Sequence, residues 1–385
     1  MVSSNRPPGK QSPAVLQYAD SERNADQFYF GGFLVPDPFI SIGIEGEKIA
    51  FLSRLEIGRA GRESGFDTLM SLEEWSERAA AEFSGEKAGP AGVILLFCRE
   101  RKIRRIRVGP DFPVALGFVL RESGLDIEVA SGMLFPDRIS KSDEEARAIA
   151  QGNRCSAAGI RAAERILKES VISGNFLVYD GRRLTSERLQ FEIEKTCLEH
   201  RAVSVNTIVA GGAQACDPHC RGSGLLRPNQ FIIMDVFPRV MKTGYHGDLT
   251  RTFLKGHASD AQRDLIGAVR VAHKAALGRI KTGVRGHTVH GEVERRFAER
   301  GYKTENRRNG PVGFIHGTGH GLGLDIHEPP RLSRGGPRLK TNMVVSVEPG
   351  LYYPQIGGCR IEDIVRVKPN GIEMLSRLHY RWLIR

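Results

Sequence analysis

No apolar run in this sequence approaches the ~20 residues that a membrane-crossing helix needs. Its opening, Met1-Val2-Ser3-Ser4-Asn5-Arg6-Pro7-Pro8, is polar where a secretion signal would be apolar. These two features make the cytoplasm the expected compartment and exclude a membrane partner. Cysteine is scarce. Cys98, Cys155, Cys197, Cys216, Cys220 and Cys359 are scattered through 385 residues, far too thin for a disulfide-stapled scaffold and in keeping with reduced thiols. There is no internal repeat, and no low-complexity tract beyond the Pro- and Ser-containing first dozen residues. The formal net charge of +11 could attract polyanions, yet no zinc finger, recognition helix or RNA-binding signature accompanies it. Most of the excess is dispersed arginine. The one dense patch, Arg-Glu-Arg-Lys-Ile-Arg-Arg-Ile-Arg (99–107), is expected to be the solvated guard of a strand edge. No nucleic-acid partner is expected.

What is present is the composition of an ordinary globular protein, 40% hydrophobic and 26% charged, at a length comfortable for two domains. Residues 1–24 are expected to be a frayed tail. Residues 25–138 alternate short apolar runs with helical patterns, which predicts a small α/β domain. Phe-Ile-Ser-Ile-Gly-Ile (39–44) and Ile-Ala-Phe-Leu (49–52) flank a polar turn as a hairpin. Ser71 can cap a helix through Trp75 to Phe83. Val-Ile-Leu-Leu-Phe (93–97) is expected to be a buried strand, 103–108 another, and 112–122 a helix. Past a boundary near 137–141, Ser142-Asp143-Glu144-Glu145 forms a capping box that opens a long helix to about Glu169. Further helices are predicted over 185–199, 260–277 and 289–300, with strands over 204–209, 231–236, 248–254, 343–347 and 361–367. Residues 139–385 therefore make an α+β domain with antiparallel strands.

That domain sets acids at the ends of apolar strands. Asp235 closes Phe-Ile-Ile-Met (231–234), Asp248 opens the next strand, Glu348 follows Met-Val-Val-Ser-Val (343–347), and Glu362 sits in Gly-Gly-Cys-Arg-Ile-Glu-Asp (357–363). His320 lies among the glycines of His-Gly-Thr-Gly-His-Gly-Leu-Gly-Leu-Asp-Ile-His-Glu (316–328). An acid embedded in apolar strand is costly unless a cation or hydrogen bonds neutralise it. One such residue has ordinary explanations, as a cap, a turn former or a buried ion pair; four with a glycine-cleared histidine strain them. Four carboxylates match the charge of two divalent cations, and two metals about 3.5–4 Å apart can share a hydroxide, lower its pKa and polarise a carbonyl. The alternating glycines do not make a dinucleotide loop, because no strand–turn–helix unit surrounds them; they let backbone pass close to the site.

In Gly-Tyr-His-Gly-Asp-Leu-Thr-Arg-Thr-Phe (244–253), the histidine-rich segment 316–328, Ser-Val-Glu-Pro-Gly-Leu-Tyr (346–352) and 357–363, the sequence resembles the pita-bread metallopeptidases. That group includes methionine aminopeptidase, Xaa-Pro aminopeptidase and Xaa-Pro dipeptidase. Four motifs in the family's order cover 140–385. Residues 25–140 look like the creatinase/prolidase-type N-terminal domain of the proline-directed branch. The resemblance implies an α+β pita-bread catalytic domain (139–385) behind a smaller α/β domain (25–138), with Asp235, Asp248, His320, Glu348 and Glu362 as ligands of two divalent ions. Asp248 and Glu362 would bridge, Asp235 would hold one ion, and His320 with Glu348 the other. It further implies His219 and His327 as substrate and transition-state contacts, His316 on the substrate side, and Arg360 orienting an acidic ligand. Glu348 or the bridging hydroxide would manage proton transfer. Mn²⁺ is the metal the resemblance suggests, with Co²⁺, Zn²⁺ and Fe²⁺ equally suited to the donors, and a homodimer is the implied assembly.

The implied activity is removal of an N-terminal residue from a peptide whose second residue is proline, by a hydroxide that two metals activate. Arg331 is similar to an arginine that in some dipeptidases binds the substrate's free carboxylate, so a dipeptide-specific enzyme remains open. So do a non-proline aminopeptidase and a metal-free, creatinase-like hydrolase or binding module. Cys216-Asp217-Pro218-His219-Cys220 mimics a zinc cluster but lacks a second spaced pair. His246 is expected to be exposed in a hairpin and His257 in a loop, with Asp325 and Glu328 second to the ligands or at the surface. One departure stands out. The family usually has ten residues between its two aspartates, whereas Asp235 and Asp248 enclose twelve, with Phe237 and Pro238 where a glycine is often found. An insertion of two preserves which face each side chain takes, because the strand period is two.

Overall fold

The structure, a computed structural model, describes residues 12–308 and 310–385. The chain divides between Pro136 and Asp137 into two compact units, two residues before the expected boundary. No helix among the described residues is long and apolar enough to cross a membrane.

In the first unit β1 (Ala14–Ala19), α1 (Ala25–Gly31), β2 (Phe39–Ile44), β3 (Glu47–Leu52), α2 (Ile57–Glu63), β4 (Thr68–Ser71), α3 (Leu72–Glu82), α4 (Pro90–Glu100), β5 (Arg105–Val108), α5 (Val114–Glu122) and β6 (Asp126–Val129) follow in order. The strands form one sheet in the order β4-β3-β2-β1-β5-β6. The expected tail is corrected here: its residues 14–19 are β1, held between β2 and β5, with Leu16 fully buried in the core. Residues 1–11 of that expectation lie outside the described residues.

The run 93–97, expected to be a strand, is the middle of helix α4. Pro90 stands at its first position and Ala91 to Cys98 are all buried. A segment enclosed on every side is apolar all round, so it carries no periodicity to tell helix from strand. The basic patch is corrected as well. It spans the end of α4, a turn with Lys102 at φ 56°, and β5, which lies inside the sheet rather than at its edge. Acids absorb its charge: Arg99 pairs with Glu82, Arg105 with Asp126, and Arg107 with Glu128.

The second unit opens with α6 (Asp143–Glu169). Ser142 accepts from the Glu145 amide while the Glu145 carboxylate accepts from that of Ser142, so the predicted capping box is formed. There follow β7 (Val171–Ser173), β8 (Phe176–Tyr179), β9 (Arg182–Arg183), α7 (Ser186–Glu199), β10 (Ala202–Val203), β11 (Ile208–Gly211), β12 (Phe231–Val236), β13 (Arg239–Val240) and β14 (Leu249–Lys255). Helices α8 (Asp260–Arg279) and α9 (Gly286–Glu299) come next. Strands β15 (Glu305–Arg307), β16 (Gly310–Val312), β17 (Gly319–Gly321), β18 (Glu328–Leu332), β19 (Val344–Val347), β20 (Gly350–Tyr353), β21 (Gly357–Arg360), β22 (Asp363–Lys368), β23 (Gly371–Met374) and β24 (Leu383–Ile384) complete it. The strand expected at 204–209 starts only at Ile208: Asn206 takes φ 62° and Ser204 and Thr207 bond to each other, which holds 204–207 as a loop.

Two sheets position the site. One has the order β11-β12-β14-β24 and the other β18-β17-β19-β22-β23. Ile160, Leu167, Leu189 and Ile193 of α6 and α7 pack on the first through Ile232, Met234 and Phe253. Leu265, Val269, Val289 and Val293 of α8 and α9 pack with Val345, Val347 and Val365 of the second. Across β12 and β14 Asp235 stands opposite Thr250. Asp248, two residues before Thr250, therefore shares its face, and the two aspartates point the same way. The twelve intervening residues are accommodated by β13, which pairs with β10, and by a turn after it.

Helix α6 crosses the segment before Asp248 backbone to backbone. A Cβ on Gly247 would lie 2.1 Å from the Gly152 carbonyl carbon, and one on Gly152 would lie 2.4 Å from the Gly247 nitrogen. Asn153, next on the helix, accepts the Asp248 amide at 2.8 Å. Gly247→Ala forces these backbones apart and should lower stability by about 1–3 kcal/mol, read as a lower urea midpoint at unchanged slope. An unchanged midpoint would show that the crossing is looser than described.

Candidate metal centre and its cavity

Each of the five implied ligands sits at a strand or strand end that faces a cavity of about 840 Å³. Asp235 is in β12, Asp248 immediately precedes β14, His320 is the middle residue of β17, Glu348 immediately follows β19, and Glu362 immediately precedes β22. Backbone bonds join the pieces. Val347 pairs with Asp363, which brings Glu348 and Glu362 beside each other. The Glu348 amide donates to Thr318 just before His320, and the Glu362 amide donates to Thr250 on β14. Ligand atoms of Asp248, His320 and Glu362 come within 4.8 Å of one another. His320 Nε2 is also 3.2 Å from Glu348 Oε1 and 3.6 Å from Asp248 Oδ2.

The second shell of hydrogen bonds leaves specific atoms unserved. His320 Nδ1 is 3.0 Å from the Gly321 carbonyl, which can only accept, so Nδ1 carries a proton. In a neutral ring Nε2 then aims a lone pair at two carboxylate oxygens, acceptor facing acceptor. Asp235 Oδ2 accepts from Arg360 Nη2 at 2.6 Å, while its buried Oδ1 has no partner among the described residues. Glu362 Oε2 accepts from Thr250 Oγ1 at 2.8 Å and Glu348 Oε1 from Ser346 Oγ at 3.2 Å. Burial, then neighbouring carboxylates, pushes Asp248 and Glu362 well above the ordinary carboxylate range. Burial acts against the Glu348 charge too. Once Nε2 carries a proton, however, the His320 ring donates to Glu348, and that bond together with the His320, His316 and Arg360 charges outweighs burial and holds Glu348 down at about 2.

The cavity also takes in His219, His316, His327, Arg331 and Arg360. Arg360 is buried in β21. Burial opposes its charge, and Tyr352, Asp235 and Glu348 more than compensate. Its Nη1 donates to Tyr352 Oη at 2.9 Å. The tyrosine hydroxyl then gives its own hydrogen to His316 Nε2 at 2.8 Å, and His316 Nδ1–H donates to the Gly317 carbonyl at 2.7 Å. This network fixes the tautomer and leaves His316 no ring nitrogen for a substrate; it offers a ring face only. By contrast, the rings of His219 and His327 have no hydrogen-bond partner among the described residues, and the His327 ring stands edge-on to His320 at 4.3 Å. Loss of solvent, followed by His320 and Arg331, depresses the His327 pKa to about 4. Arg331 lies opposite His320 across β17 and β18 with its side chain exposed.

Residue 246 is a correction: its ring is half-buried, with Nδ1 near the Phe237 carbonyl at 3.4 Å, and burial takes it down to about 4. His257 is exposed in a loop, as expected. Asp325 and Glu328 pair with Arg138, and Glu328 also with Lys141. Thr250, Ser346 and Tyr352 escaped the sequence reading. All three stand in the motifs quoted above, but a hydroxyl in a strand looks like an ordinary strand residue.

A model of metallopeptidase family M24 matches residues 147–369, more than half of the chain. The chain belongs to that family. An uncharacterized peptidase of Staphylococcus aureus is 30% identical over 353 residues, covering 88% of this chain and 91% of that protein. A Xaa-Pro dipeptidase of Pyrococcus furiosus is 33% identical over 174 residues, or 45% and 47% of the two chains. A Bacillus subtilis relative, 30% identical, is covered over 61% of its length, so the chain spans less than half of the first of these two and about three fifths of the second. Among solved structures, an X-Pro aminopeptidase from Thermotoga maritima superposes with a TM-score of 0.79 at 22% identity over 97% of both chains. A Xaa-Pro dipeptidase from Bacillus anthracis gives 0.80 at 21% identity over 97% of this chain and 95% of its own. The fold is thus the α+β pita-bread fold of M24 with an N-terminal domain.

A metal suits this M24 site on its own chemistry. The unpartnered Asp235 Oδ1 and the His320 Nε2 lone pair facing carboxylates both call for a cation. An oxygen-rich set with one imidazole is also the donor type that Mn²⁺, Fe²⁺, Co²⁺ and Zn²⁺ accept. Tyr352→Phe removes the donor to His316 and the acceptor for Arg360 at one stroke. It should lower stability by about 1–3 kcal/mol, measured by urea unfolding, and a fully stable variant would sink the described proton arrangement.

Proposed function

We propose that this M24 protein is a two-metal exopeptidase that cleaves the bond between an N-terminal residue and a following proline. The observation that carries the reading is the convergence of five donors on one cavity, where a buried carboxylate oxygen lacks any protein partner. Asp235, Asp248, His320, Glu348 and Glu362 would hold two divalent ions, of which Mn²⁺ is our choice. When bound, such ions supply a nucleophile at neutral pH and polarise the scissile carbonyl.

The residues around them divide the remaining work. Arg360 keeps Asp235 in place through the 2.6 Å bond to Oδ2, which leaves Oδ1 for a metal. With their ring nitrogens unclaimed, His219 and His327 can hydrogen-bond the peptide, and His327 is placed to donate where charge grows on the carbonyl oxygen. His316 presents a ring face fixed by Tyr352, a flat wall for a pyrrolidine ring that has no N–H to offer. Thr250 orients Glu362, and Ser346 orients Glu348. Six free thiols accord with a reducing compartment, and we take the enzyme to be a cytoplasmic homodimer.

Activity on dipeptides is the second reading. Arg331 favours it: an exposed guanidinium on the cavity lining with no acid paired to it among the described residues, suited to a free carboxylate. The aminopeptidase remains our choice on the size of the cavity, about 840 Å³.

Two measurements test this. Reconstituted protein should contain about two divalent ions per chain and lose activity to a chelator, the expectation for a two-metal site; full activity without metal would overturn the mechanism. A series of Ala-Pro, Ala-Pro-Ala and Ala-Ala-Ala should show turnover confined to the proline peptides, and equal rates on all three would remove proline specificity. Within that series, Arg331→Ala should reduce kcat/KM on Ala-Pro by about 10-fold or more and change Ala-Pro-Ala less. Equal losses on both would deny Arg331 any part in reading chain length.

A further inference from the structure

Two cations at the start of the second unit are almost entirely enclosed. Arg138 retains 4% exposure and Lys141 2%, and the Glu328 carboxylate they share is 3% exposed. Arg138 Nη2 donates to Asp325 Oδ2 at 2.7 Å and to Glu328 Oε2 at 3.0 Å. Lys141 Nζ donates to Glu328 Oε1 and to the Arg138 carbonyl. The Lys141 backbone is itself pinned: its amide donates to the Asn342 carbonyl at 2.9 Å, and its carbonyl accepts from Arg366 Nη2 at 3.0 Å on β22, the strand that follows Glu362.

Charges withdrawn from water in this way are costly unless each finds its counterpart, and replacement by apolar groups often stabilises a protein. What matters is therefore what the charges hold. Asp325 and Glu328 flank His327 on either side, and the His327 ring has no hydrogen bond of its own. Room for the Glu328 carboxylate exists because residue 323 is glycine: a Cβ there would stand 2.8 Å from Glu328 Oε1. The same segment is tied from the other side by the His246 amide, which donates to the Gly323 carbonyl at 2.8 Å.

We propose that Arg138 and Lys141 are positioning residues that clamp both ends of the turn 325–328 and thereby hold the His327 ring beside His320 in the cavity. One guanidinium reaching both carboxylates fixes the spacing between the two ends of the turn, and the ammonium prevents Glu328 from rotating away. Misplacement of a reacting group by about 1 Å can cost 100-fold in rate, so a ring without its own hydrogen bonds depends on such a frame. The proposal deepens the peptidase reading by adding residues outside the cavity lining to its machinery.

The test is Arg138→Gln in the full chain loaded with Mn²⁺. A crystal structure of the variant should show the His327 ring displaced from its 4.3 Å contact with His320. With Ala-Pro-Ala, kcat should fall about 10-fold or more while KM stays within about threefold. Bound Mn²⁺ should stay at the wild-type stoichiometry, and Arg138→Lys should restore part of kcat. Should Arg138→Gln fail to fold, Asp325→Asn removes one arm of the clamp at a half-exposed position and is expected to move the ring in the same way. A His327 ring that keeps its place in the variant overturns the clamp. Wild-type protein that cleaves none of the peptides sinks the functional reading instead, and the ring position still decides the clamp.

Discussion

Electron-rich atoms that face one another, with only a proton or a cation to reconcile them, set the terms for the whole second unit. The Gly321 carbonyl commits one His320 proton to Nδ1, so in a neutral ring Nε2 meets Glu348 and Asp248 as a lone pair meeting lone pairs. Asp235 brings an oxygen with no partner to the same cavity. No folded chain assembles such a group unless the rest of its packing compels it or a cation rewards it. Here the compulsion is visible: two sheets, each backed by a helix pair, deliver the five side chains from strand ends that backbone hydrogen bonds lock together. The repulsion is thus stored in a scaffold made rigid by apolar burial.

The surrounding polar network serves this arrangement by removing choices. Arg360 spends one nitrogen on Asp235 and another on Tyr352, which settles where the tyrosine proton goes and hence which tautomer His316 adopts. Thr250 bonds Glu362 through its hydroxyl and stands opposite Asp235 in the ladder, so one residue neighbours two carboxylates that are far apart in sequence. Histidines in the same cavity consequently differ in kind. His316 is saturated and acts as a surface, His320 turns a single lone pair inward, and His219 and His327 keep unclaimed nitrogens.

Legibility in the sequence followed the physics of each segment. Asp235, Asp248, Glu348 and Glu362 could be picked out because an acid beside an apolar strand violates the usual pattern, and the glycines around His320 marked a close backbone approach. Capping boxes such as Ser142 to Glu145 were readable because they are local. Tyr352, Thr250 and Ser346 were not, since a strand tolerates hydroxyls for many reasons and only tertiary contacts reveal their partners. Arg138 and Lys141 stood in the sequence only as part of a domain boundary; their burial depends on a turn almost 190 residues later in the chain. The error at 93–97 had another source, because a wholly enclosed helix shows no periodic face. His246 was misjudged because the turn that holds it folds back upon the segment containing Gly323.

The ladder between β12 and β14 has an evolutionary corollary. Asp235 and Asp248 keep a common face whenever the chain between them changes by an even number of residues, whereas an odd change turns one carboxylate toward the helices unless a bulge absorbs it. Descendants of this protein can therefore vary the loop that follows Phe237, a residue of the cavity rim, in steps of two without turning either aspartate away. Variation at that rim should be quantised, and lineages that differ in substrate preference would carry its record as parity in loop length.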